Sequence, residues 1–444
     1  MRFHILTFGC QMNVADSDWL RQVLEARGWI SVREEEAQVF LVTTCSVREK
    51  PEQKVYSLLG RLKDYVDRDP SVFVGVGGCV AQQIGEDFWR RFPFVRLVFG
   101  TDGIAMVPEA LDRLVEDPEQ RISLLDFLGH YPEREVVETG TVSAQAFVNI
   151  MQGCDNFCAY CIVPYTRGRQ KSRASDAVVA ECESLVRRGA RELTLLGQNV
   201  NSYGQDTHGD GTSFAGLLER VAGIPGLDRL KFTTSHPKDI APEVVAAFEH
   251  LPNLCPQLHL PFQSGSDAVL RTMGRKYTRQ RYLDIIHALR TACPRIALTT
   301  DIIVGFPGET EQDFEDTLSL MREVRFVSSF SFKYSDRPGV RAERMPSKIS
   351  EEDKSRRLRV LQDLQNRITE EELAAVVGTE VTVLVEGRSK MQDGGAVSWR
   401  GRDEGGRIVN FSWSGPALTG KMVHVTIMAS KKHSLLGEIR GEPW

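Results

Sequence analysis

The sequence predicts an α/β protein in three parts: a doubly wound parallel sheet, a partial (βα)6 barrel and a small antiparallel β-barrel. Three observations predict it. Short apolar runs rich in β-branched and aromatic residues alternate with amphipathic helical patterns through the first two parts, as strands buried on both faces of a sheet require. The runs at 3–10, 39–45 and 72–79 each end in cysteine. The final segment switches to alternating apolar and polar residues between Gly-rich turns, the pattern of half-buried antiparallel strands.

Taken in order, helical patterns at 16–27 and 52–67 separate the cysteine-ended runs, and a further strand fits 95–99, giving a βαβαβ unit. A polar stretch at 117–141 reads as a linker, so the expected divisions are 1–118, a linker at 119–140, 141–371 and 374–440. Six strand candidates follow, at 147–152, 192–196, 230–234, 257–261, 296–303 and 329–334, with helices at 176–188, 214–224, 278–292 and 311–324. Six βα units suit an incomplete parallel barrel whose chemistry sits at the carboxyl ends of its strands. Leu358, Leu361, Leu364 and Ile368 mark one face of a connecting helix at 350–377, stopped by Gly378. Strands at 380–385, 408–413, 423–428 and 435–439 fit a five-stranded closing module.

Charge is nearly balanced, 55 Lys+Arg against 60 Asp+Glu for a net of −5, so any nucleic-acid site is a local patch rather than a bulk property. Over residues 375–444 the basic residues outnumber the acidic ones. No apolar run reaches the roughly 18 residues of a membrane span and the chain opens without an apolar leader, so a cytoplasmic location with no membrane partner is expected. Nine Cys are then expected to stay reduced, which favours metal binding or catalysis over disulfides.

Cys154, Cys158 and Cys161 form a Cys-x-x-x-Cys-x-x-Cys loop directly after the first barrel strand. Three soft thiolates at that spacing suit an iron–sulfur cluster or zinc. Structural zinc usually closes with four ligands, and no fourth Cys or His stands nearby. On a four-iron cube, three thiolates leave one iron open to a small molecule. Cys10, Cys45 and Cys79 are individually weak signals, since a lone cysteine ending a strand is usually a small buried hydrophobe. Their corresponding positions, beside Gly9, Thr44, Ser46, Gly77 and Gly78, also let them converge at one sheet edge around a second cluster. Cys182, Cys255 and Cys293 lack such partners and read as core residues.

The loop GCDNFCAYCIVPYTRGR at 153–169 resembles the radical S-adenosylmethionine (SAM) signature. With GCQMN at 9–13, TTCSVREK at 43–50, GGC at 77–79, LGQNVNSYG at 196–204, TTSHP at 233–237, LHLPFQSGS at 258–266 and TDIIVGFPGET at 300–310, the chain resembles radical SAM methylthiotransferases over nearly its full length. The resemblance implies a TIM-like radical SAM barrel between an auxiliary-cluster domain and a TRAM-like RNA-binding barrel. It implies two 4Fe-4S clusters, one on each cysteine set, and two SAM molecules per turnover. One cluster cleaves SAM to a 5′-deoxyadenosyl radical that takes hydrogen from carbon 2 of an adenine, and the other presents a sulfur methylated from the second SAM. CQMN followed by CSVREK is most similar to members acting on N(6)-isopentenyladenosine next to the anticodon of tRNA. The same chemistry on threonylcarbamoyladenosine, and a noncatalytic metal-containing RNA-binding protein, are the alternatives. The implied partners are that tRNA, a flavodoxin- or ferredoxin-type reductant and a sulfur donor, with the enzyme a monomer.

The resemblance also assigns Tyr160, Gly197, Gln198, Asn199, Ser235, His259, Asp301 and Gly305 to SAM. Plainer readings stand beside three of them: aromatic packing for Tyr160, a barrel-interior residue for His259 and a simple turn for Gly305. Arg167, Arg169, Lys171 and Arg173, with no acid among them, read as a funnel for RNA phosphates, with Tyr165 placed to stack on a base. In the last part Lys390, Arg400, Arg402, Arg407, Lys431 and Lys432 are candidate phosphate contacts. Of Trp399, Phe411 and Trp413, at least one is expected to fill the small barrel. Gln170 and Val340 depart from the family pattern, which commonly has Glu and Thr there, and leave the cluster cysteines untouched.

Overall fold

A computed structural model describes residues 1–46, 51–207, 209–389 and 398–444; residues 47–50 of the TTCSVREK motif and Lys390 lie outside the described residues. The first part has strands β1 (Arg2–Thr7), β2 (Ile30–Ser31), β3 (Val39–Thr44), β4 (Phe73–Gly78), β5 (Val95–Phe99) and β6 (Ile122–Leu124), parallel in the order β2-β1-β3-β4-β5-β6. Its helices are α1 (Gln11–Ala26), α2 (Pro51–Arg68), α3 (Cys79–Ile84), α4 (Asp87–Arg91) and α5 (Val107–Glu116). Alternation along the strands divides the core in two: Val39, Leu41 and Leu97 pack with α1 and α5, while Phe40, Val42, Val74 and Val76 pack with α2, α3 and α4. Because α1 and α2 leave the sheet on opposite faces, the winding reverses between β1 and β3. A crevice opens there at the carboxyl ends, where Cys10 and Cys45 stand.

The second part runs through β7 (Gln145–Asn149), the short antiparallel pair β8 (Met151–Gln152) and β9 (Lys171–Ser172), β10 (Glu192–Leu196), β11 (Arg229–Thr233), β12 (Gln257–His259), β13 (Ala297–Val304) and β14 (Ser328–Lys333). Ladders join β11-β10-β7 and β12-β13-β14, with a parallel bridge from Leu230 to Leu254 between the two groups. These six parallel strands form the partial barrel, and neither β7 nor β14 has a further strand partner among the described residues. Helices α6 (Val163–Thr166), α7 (Ser175–Arg187), α8 (Phe214–Ala222), α9 (Pro242–His250), α10 (Asp267–Met273), α11 (Arg279–Ala292) and α12 (Glu311–Val324) alternate with the strands. Val148, Leu193, Leu195, Leu230, Leu258 and Ile302 face the helical shell, so Phe147, Thr194, Lys231, His259 and Asp301 face the lumen. Helix α13 (Glu351–Ala374) then adds Leu361, Leu364 and Ile368 to the same core.

The last part closes as a barrel of β15 (Glu380–Arg388), β16 (Ser398–Asp403), β17 (Ile408–Ser412), β18 (Met422–Lys431) and β19 (Ser434–Arg440), in the order β15-β16-β17-β19-β18. An odd number of strands in a closed ring cannot alternate throughout, and the β17–β19 seam is accordingly parallel rather than antiparallel. Trp399 and Phe411 both fill its core. This barrel docks on the amino ends of the larger barrel's strands. Arg229, first residue of β11, donates to the Arg402 and Thr382 carbonyls at 3.0 and 2.6 Å, and Arg191 donates to the Trp444 carbonyl at 2.7 Å.

The segment expected as a linker is more ordered than its polarity suggests. Ile122–Leu124 is edge strand β6, too short to stand out among polar neighbours, and the first sheet therefore extends past the expected boundary. Farther on, the segment is strapped down: Trp19 Nε1 donates to the Glu135 carbonyl at 3.0 Å, and Ser184 Oγ to that of Val137 at 2.8 Å. Helix α1 starts at Gln11, not at residue 16, with Cys10 as its N-cap. Residue 78 shows how tightly these strand ends are constrained: Gly78 has φ +90°, and a β-carbon there would collide with the Thr44 carbonyl. Gly78→Ala is expected to destabilise the protein by about 2 kcal/mol or more through strain and backbone displacement. A lowered thermal midpoint, with loss of iron binding by the Cys79 group, is the measurable outcome.

Candidate active site

The two cysteine groups approach one space from different domains. Cys10 caps α1, Cys45 follows β3 and Cys79 opens α3, so all three sit at carboxyl ends of neighbouring strands. Gly9 permits the approach, since a β-carbon there, at φ +126°, would overlap Cys45. A hydrogen bond with Cys45 chiefly pulls the Cys10 thiol down to about 5; burial opposes this, and the Arg167 guanidinium adds to it. Arg167 is itself buried, 4% exposed, and donates to Asn13 Oδ1 at 3.3 Å. Burial disfavours its charge, but Cys79, Cys10 and Asp16 more than compensate and hold its pKa above the ordinary value. One cation from the barrel thus serves the cysteines of the first sheet.

The second group occupies the loop above β7. Burial, reinforced by the charges of Cys158 and Cys154, pushes the Cys161 thiol up to about 12, and burial likewise raises Cys154. Arg275 is buried alongside, with Nη1 3.8 Å from Cys158 Sγ and 3.5 Å from the Tyr160 hydroxyl, and Nη2 on the Pro261 carbonyl at 2.7 Å. Tyr160 also packs against the cluster of Ala159, Val269, Met273, Phe306, Tyr334 and Ala342. The loop is anchored by Ala159 N–H on the Met273 carbonyl at 2.8 Å and by Ala342 N–H on the Ala159 carbonyl at 2.8 Å.

Helix α1 brings the groups together. Its Met12 and Ala15, with Cys10 beside them, pack on lumen-facing Phe147 and Leu196. Gln198 contacts Met12 Sδ through its amide nitrogen and accepts from Gly153 N–H at 2.6 Å, so it spans from the first domain to the loop of Cys154. Thr101 Oγ1 donates to the Thr166 carbonyl at 3.2 Å, and buried Asp102 takes Lys171 as its ion-pair partner. Asp16 accepts from Asn149 at 2.8 Å and from Arg134 at 2.7 Å.

The fit to a cofactor can be tested on these donors. No three Cys, His, Asp or Glu side chains among the described residues converge as ligands of a single metal ion. Three cysteines in each group, with a buried guanidinium beside each, suit a 4Fe-4S cluster. Around the lumen, Asn199 Oδ1, Ser235 Oγ, His236 Nε2 and Gln263 Oε1 are buried with no hydrogen-bond partner among the described residues, at the carboxyl ends of β10, β11 and β12. Such atoms cost about 1–3 kcal/mol each when left unsatisfied, and a polar ligand such as SAM would satisfy them.

The other expected cofactor residues divide. Asn199 Nδ2 is held by Asp239 at 2.7 Å. His259 lies in the lumen, its Nδ1 2.9 Å from Thr299 Oγ1 and its Nε2 3.4 Å from Asp301. Gly197 is required because a β-carbon would overlap Met151, and Gly305, at φ +72°, because Lys354 lies against it. The Gly305 amide is spent on Glu309 at 2.6 Å, which leaves it no donor for a cofactor. Arg275 and His236 were not singled out in the sequence. Arg275 follows Arg271 and Gly274 in what looks like an exposed basic turn, and nothing local marks its burial. His236 is held neutral, down to about 2, by burial and then by Arg275, Lys238 and Lys276.

The expected phosphate funnel is largely overturned. Arg167, Lys171 and Arg173 are 4%, 3% and 1% exposed and point inward, so they cannot meet RNA phosphates. Arg173 pairs with Glu181 at 2.5 Å and with the Asn149 carbonyl at 2.8 Å. Asp102 and the first-sheet thiols are remote in sequence, and Glu181 lies eight residues beyond Arg173 on α7, outside the basic run, so local charge density misled. Arg169 does reach solvent, paired to Asp155 at 2.6 Å. Gln170 is structural, joined to Ser202 through both ends of its amide, and Val340 is core. In the small barrel Arg400 and Arg402 share Glu386 and Arg407 pairs with Asp403, while Lys431 and Lys432 are exposed.

Comparison with known proteins agrees with this arrangement. Residues 148–321 match the model of the radical SAM superfamily, residues 2–100 that of the uncharacterized protein family UPF0004 and residues 374–439 that of the TRAM domain. Among solved structures, a radical S-adenosylmethionine methyltransferase, TsrM from Kitasatospora setae, is similar in fold at 13% identity, with a TM-score of 0.58 over 77% of this chain and 74% of that one. Fold and cysteine loop together define a radical SAM enzyme. Full-length relatives narrow the class. A protein of Nitratidesulfovibrio vulgaris named tRNA-2-methylthio-N(6)-dimethylallyladenosine synthase is 60% identical over 444 residues, covering 100% of this chain and 99% of the relative. Relatives of the same name from Oleidesulfovibrio alaskensis and Geobacter metallireducens are 60% and 50% identical, over 99% and 98% of this chain and 98% of each relative. The chain belongs to the tRNA-2-methylthio-N(6)-dimethylallyladenosine synthase family of radical SAM methylthiotransferases.

The thiol environments can be read out directly. In metal-free protein, iodoacetamide is expected to modify Cys10 with a midpoint near pH 5, while Cys161, held up at about 12, stays unmodified at that pH. Arg167→Gln should move the Cys10 midpoint upward, because a cation favouring the thiolate is lost. Peptide mass spectrometry across a pH series measures both.

Proposed function

We propose that the chain is a radical SAM tRNA methylthiotransferase that places a methylthio group on carbon 2 of N(6)-isopentenyladenosine next to the anticodon. The observation that carries this reading is the meeting of both cysteine groups at one lumen, through Met12 and Gln198 on one side and Asn13 and Arg167 on the other. Cys154, Cys158 and Cys161 would hold one 4Fe-4S cluster, and Cys10, Cys45 and Cys79 a second. When bound, the first with SAM supplies the hydrogen-abstracting radical and the second supplies the sulfur, at the cost of two SAM molecules per turnover.

The residues of the chain then have separate tasks. Arg275 neutralises thiolate charge at the first group, and Arg167 does so at the second. Asn199, Ser235, His236 and Gln263 offer polar atoms, unpaired among the described residues, for the amino-acid and ribose parts of SAM. Tyr160 forms an aromatic wall beside the loop, while His259 and Asp301 orient polar groups deeper in the lumen. Phe330 and Phe332, 61% and 47% exposed on β14, offer an apolar wall for the base and its isopentenyl group. A first domain that runs through β6, divisions at 141–371 and 374–440, a cytoplasmic monomer, a flavodoxin- or ferredoxin-type reductant and a sulfur donor complete the reading. No helix among the described residues is long and apolar enough to cross a membrane.

The test is anaerobic reconstitution with iron and sulfide, then reductant, SAM and isopentenyl-modified tRNA. Both 5′-deoxyadenosine and the 2-methylthio nucleoside are expected by mass spectrometry. Cys158→Ala should abolish both products, whereas Cys45→Ala should keep 5′-deoxyadenosine formation and lose only methylthiolation. Each variant should bind about half the iron of the unaltered protein. Turnover of threonylcarbamoyl-modified tRNA in place of the isopentenyl substrate would refute the substrate assignment.

A further inference from the structure

We infer that the rim of the barrel mouth formed by residues 157–169, 271–276 and 341–344 is a binding surface for a single-stranded RNA loop, with cations for phosphates beside an aromatic pair. It rests on the reading of the substrate as tRNA and adds where this chain holds the RNA. None of the inward-facing cations at 167, 171 and 173 takes part.

The three segments form one surface. Ala159 N–H donates to the Met273 carbonyl and Ala342 N–H to the Ala159 carbonyl, both at 2.8 Å, and Arg341 Nη2 donates to the Thr272 carbonyl at 2.9 Å. Between the flanking segments stands Phe157, whose φ of +48° lies in the left-handed region that bulky residues avoid. That backbone leaves the ring 45% exposed instead of packed inward. Tyr165, 52% exposed, meets it edge to face at 6.3 Å, and the Arg169 guanidinium lies 5.5 Å from its centroid. Outward aromatic faces next to a cation are what an unstacked base uses as a platform.

Charge on the rim points to the same partner. Arg271, Lys276, Arg341 and Arg344 are exposed and have no carboxylate partner among the described residues. Of the neighbouring acids, Asp155 is paired with Arg169 and Asp336 with Lys348, while Glu343 accepts from the Gly339 amide and is the one rim acid among the described residues left charged against the four cations. Unpaired cations gathered at a cavity mouth, on a chain whose net charge is −5, form a local field suited to a polyanion. An acidic protein would use the cations but leave the outward rings without a role, whereas an RNA loop uses both.

The test takes the full chain with reconstituted clusters and measures affinity for isopentenyl-modified tRNA across a salt series. Arg271→Ala with Arg344→Ala is expected to weaken binding at least about fivefold and to reduce the slope of log affinity against log salt by about 1.4, near 0.7 for each single-strand phosphate no longer neutralised. Phe157→Ala should weaken binding about tenfold with the slope unchanged, because stacking releases no counterions. Unchanged cluster absorbance and thermal midpoint separate these losses from misfolding. Affinity and slope equal to those of the unaltered protein in the double variant would overturn the proposal, as would acidic polypeptide competing for the rim as well as tRNA does. Absence of methylthio product from the unaltered enzyme would refute the reaction alone, since the binding shifts are measured without turnover.

Discussion

The buried guanidinium of Arg167 lies where the two domains must agree on geometry. It belongs to the segment that follows the Cys154 loop, yet its partners, Asn13, Cys10 and Cys79, belong to the first sheet. A cation that has left water needs its counter-charges in place, and removing either side leaves an uncompensated charge in a poorly solvated interface. The Asp102–Lys171 pair and the contacts of Asp16 with Arg134 and Asn149 impose the same requirement at neighbouring points. Such pairs add little net stability over apolar packing, but they penalise misalignment. For chemistry shared between groups on two domains, alignment is the property that matters.

Much of this frame was legible in the sequence because it rests on short-range patterns. Strands ending at Cys10, Cys45 and Cys79 carry their own signal, since a strand buried on both faces reads as a continuous apolar run and adjacent parallel strands present their ends at one edge. The partial barrel was legible for the same reason. Helix α1 was visible only from its second turn because Met12 and Ala15 pack on Phe147 and Leu196 of the other domain rather than following the amphipathic pattern of their own.

What sequence did not disclose was the direction of charged side chains. The run from Arg167 to Arg173 contains no acid, so its density reads as exposed; its partners are Asp102, Glu181 and the thiols of the first sheet. Conversely, Arg271 and Lys276 flank Arg275, and only folding separates the exposed pair from the buried one between them. The same cation pattern therefore yields an internal clamp in one segment and a surface rim in another. Tertiary contacts, which no local window contains, decide between them.

The position of the small carboxyl-terminal barrel constrains the path of any RNA. It covers the amino ends of the barrel strands through Arg229, Arg191 and the turn at Asp403, whereas both cysteine groups lie at the carboxyl ends. The eight residues of β13 set that separation at about 26 Å. An RNA touching Lys431 or Lys432 and also delivering a base to the lumen must bridge the two ends. Helix α1 occupies the lumen beside β7 and β10, but the β14 flank has no further strand partner among the described residues and exposes Phe330 and Phe332. A base entering there would pass apolar side chains before reaching Asp301 and the loop of Cys154. With both cysteine groups at one end and the small barrel docked at the other, Phe330 and Phe332 mark an apolar path along the exposed face of β14, the strand being held along its length by α13.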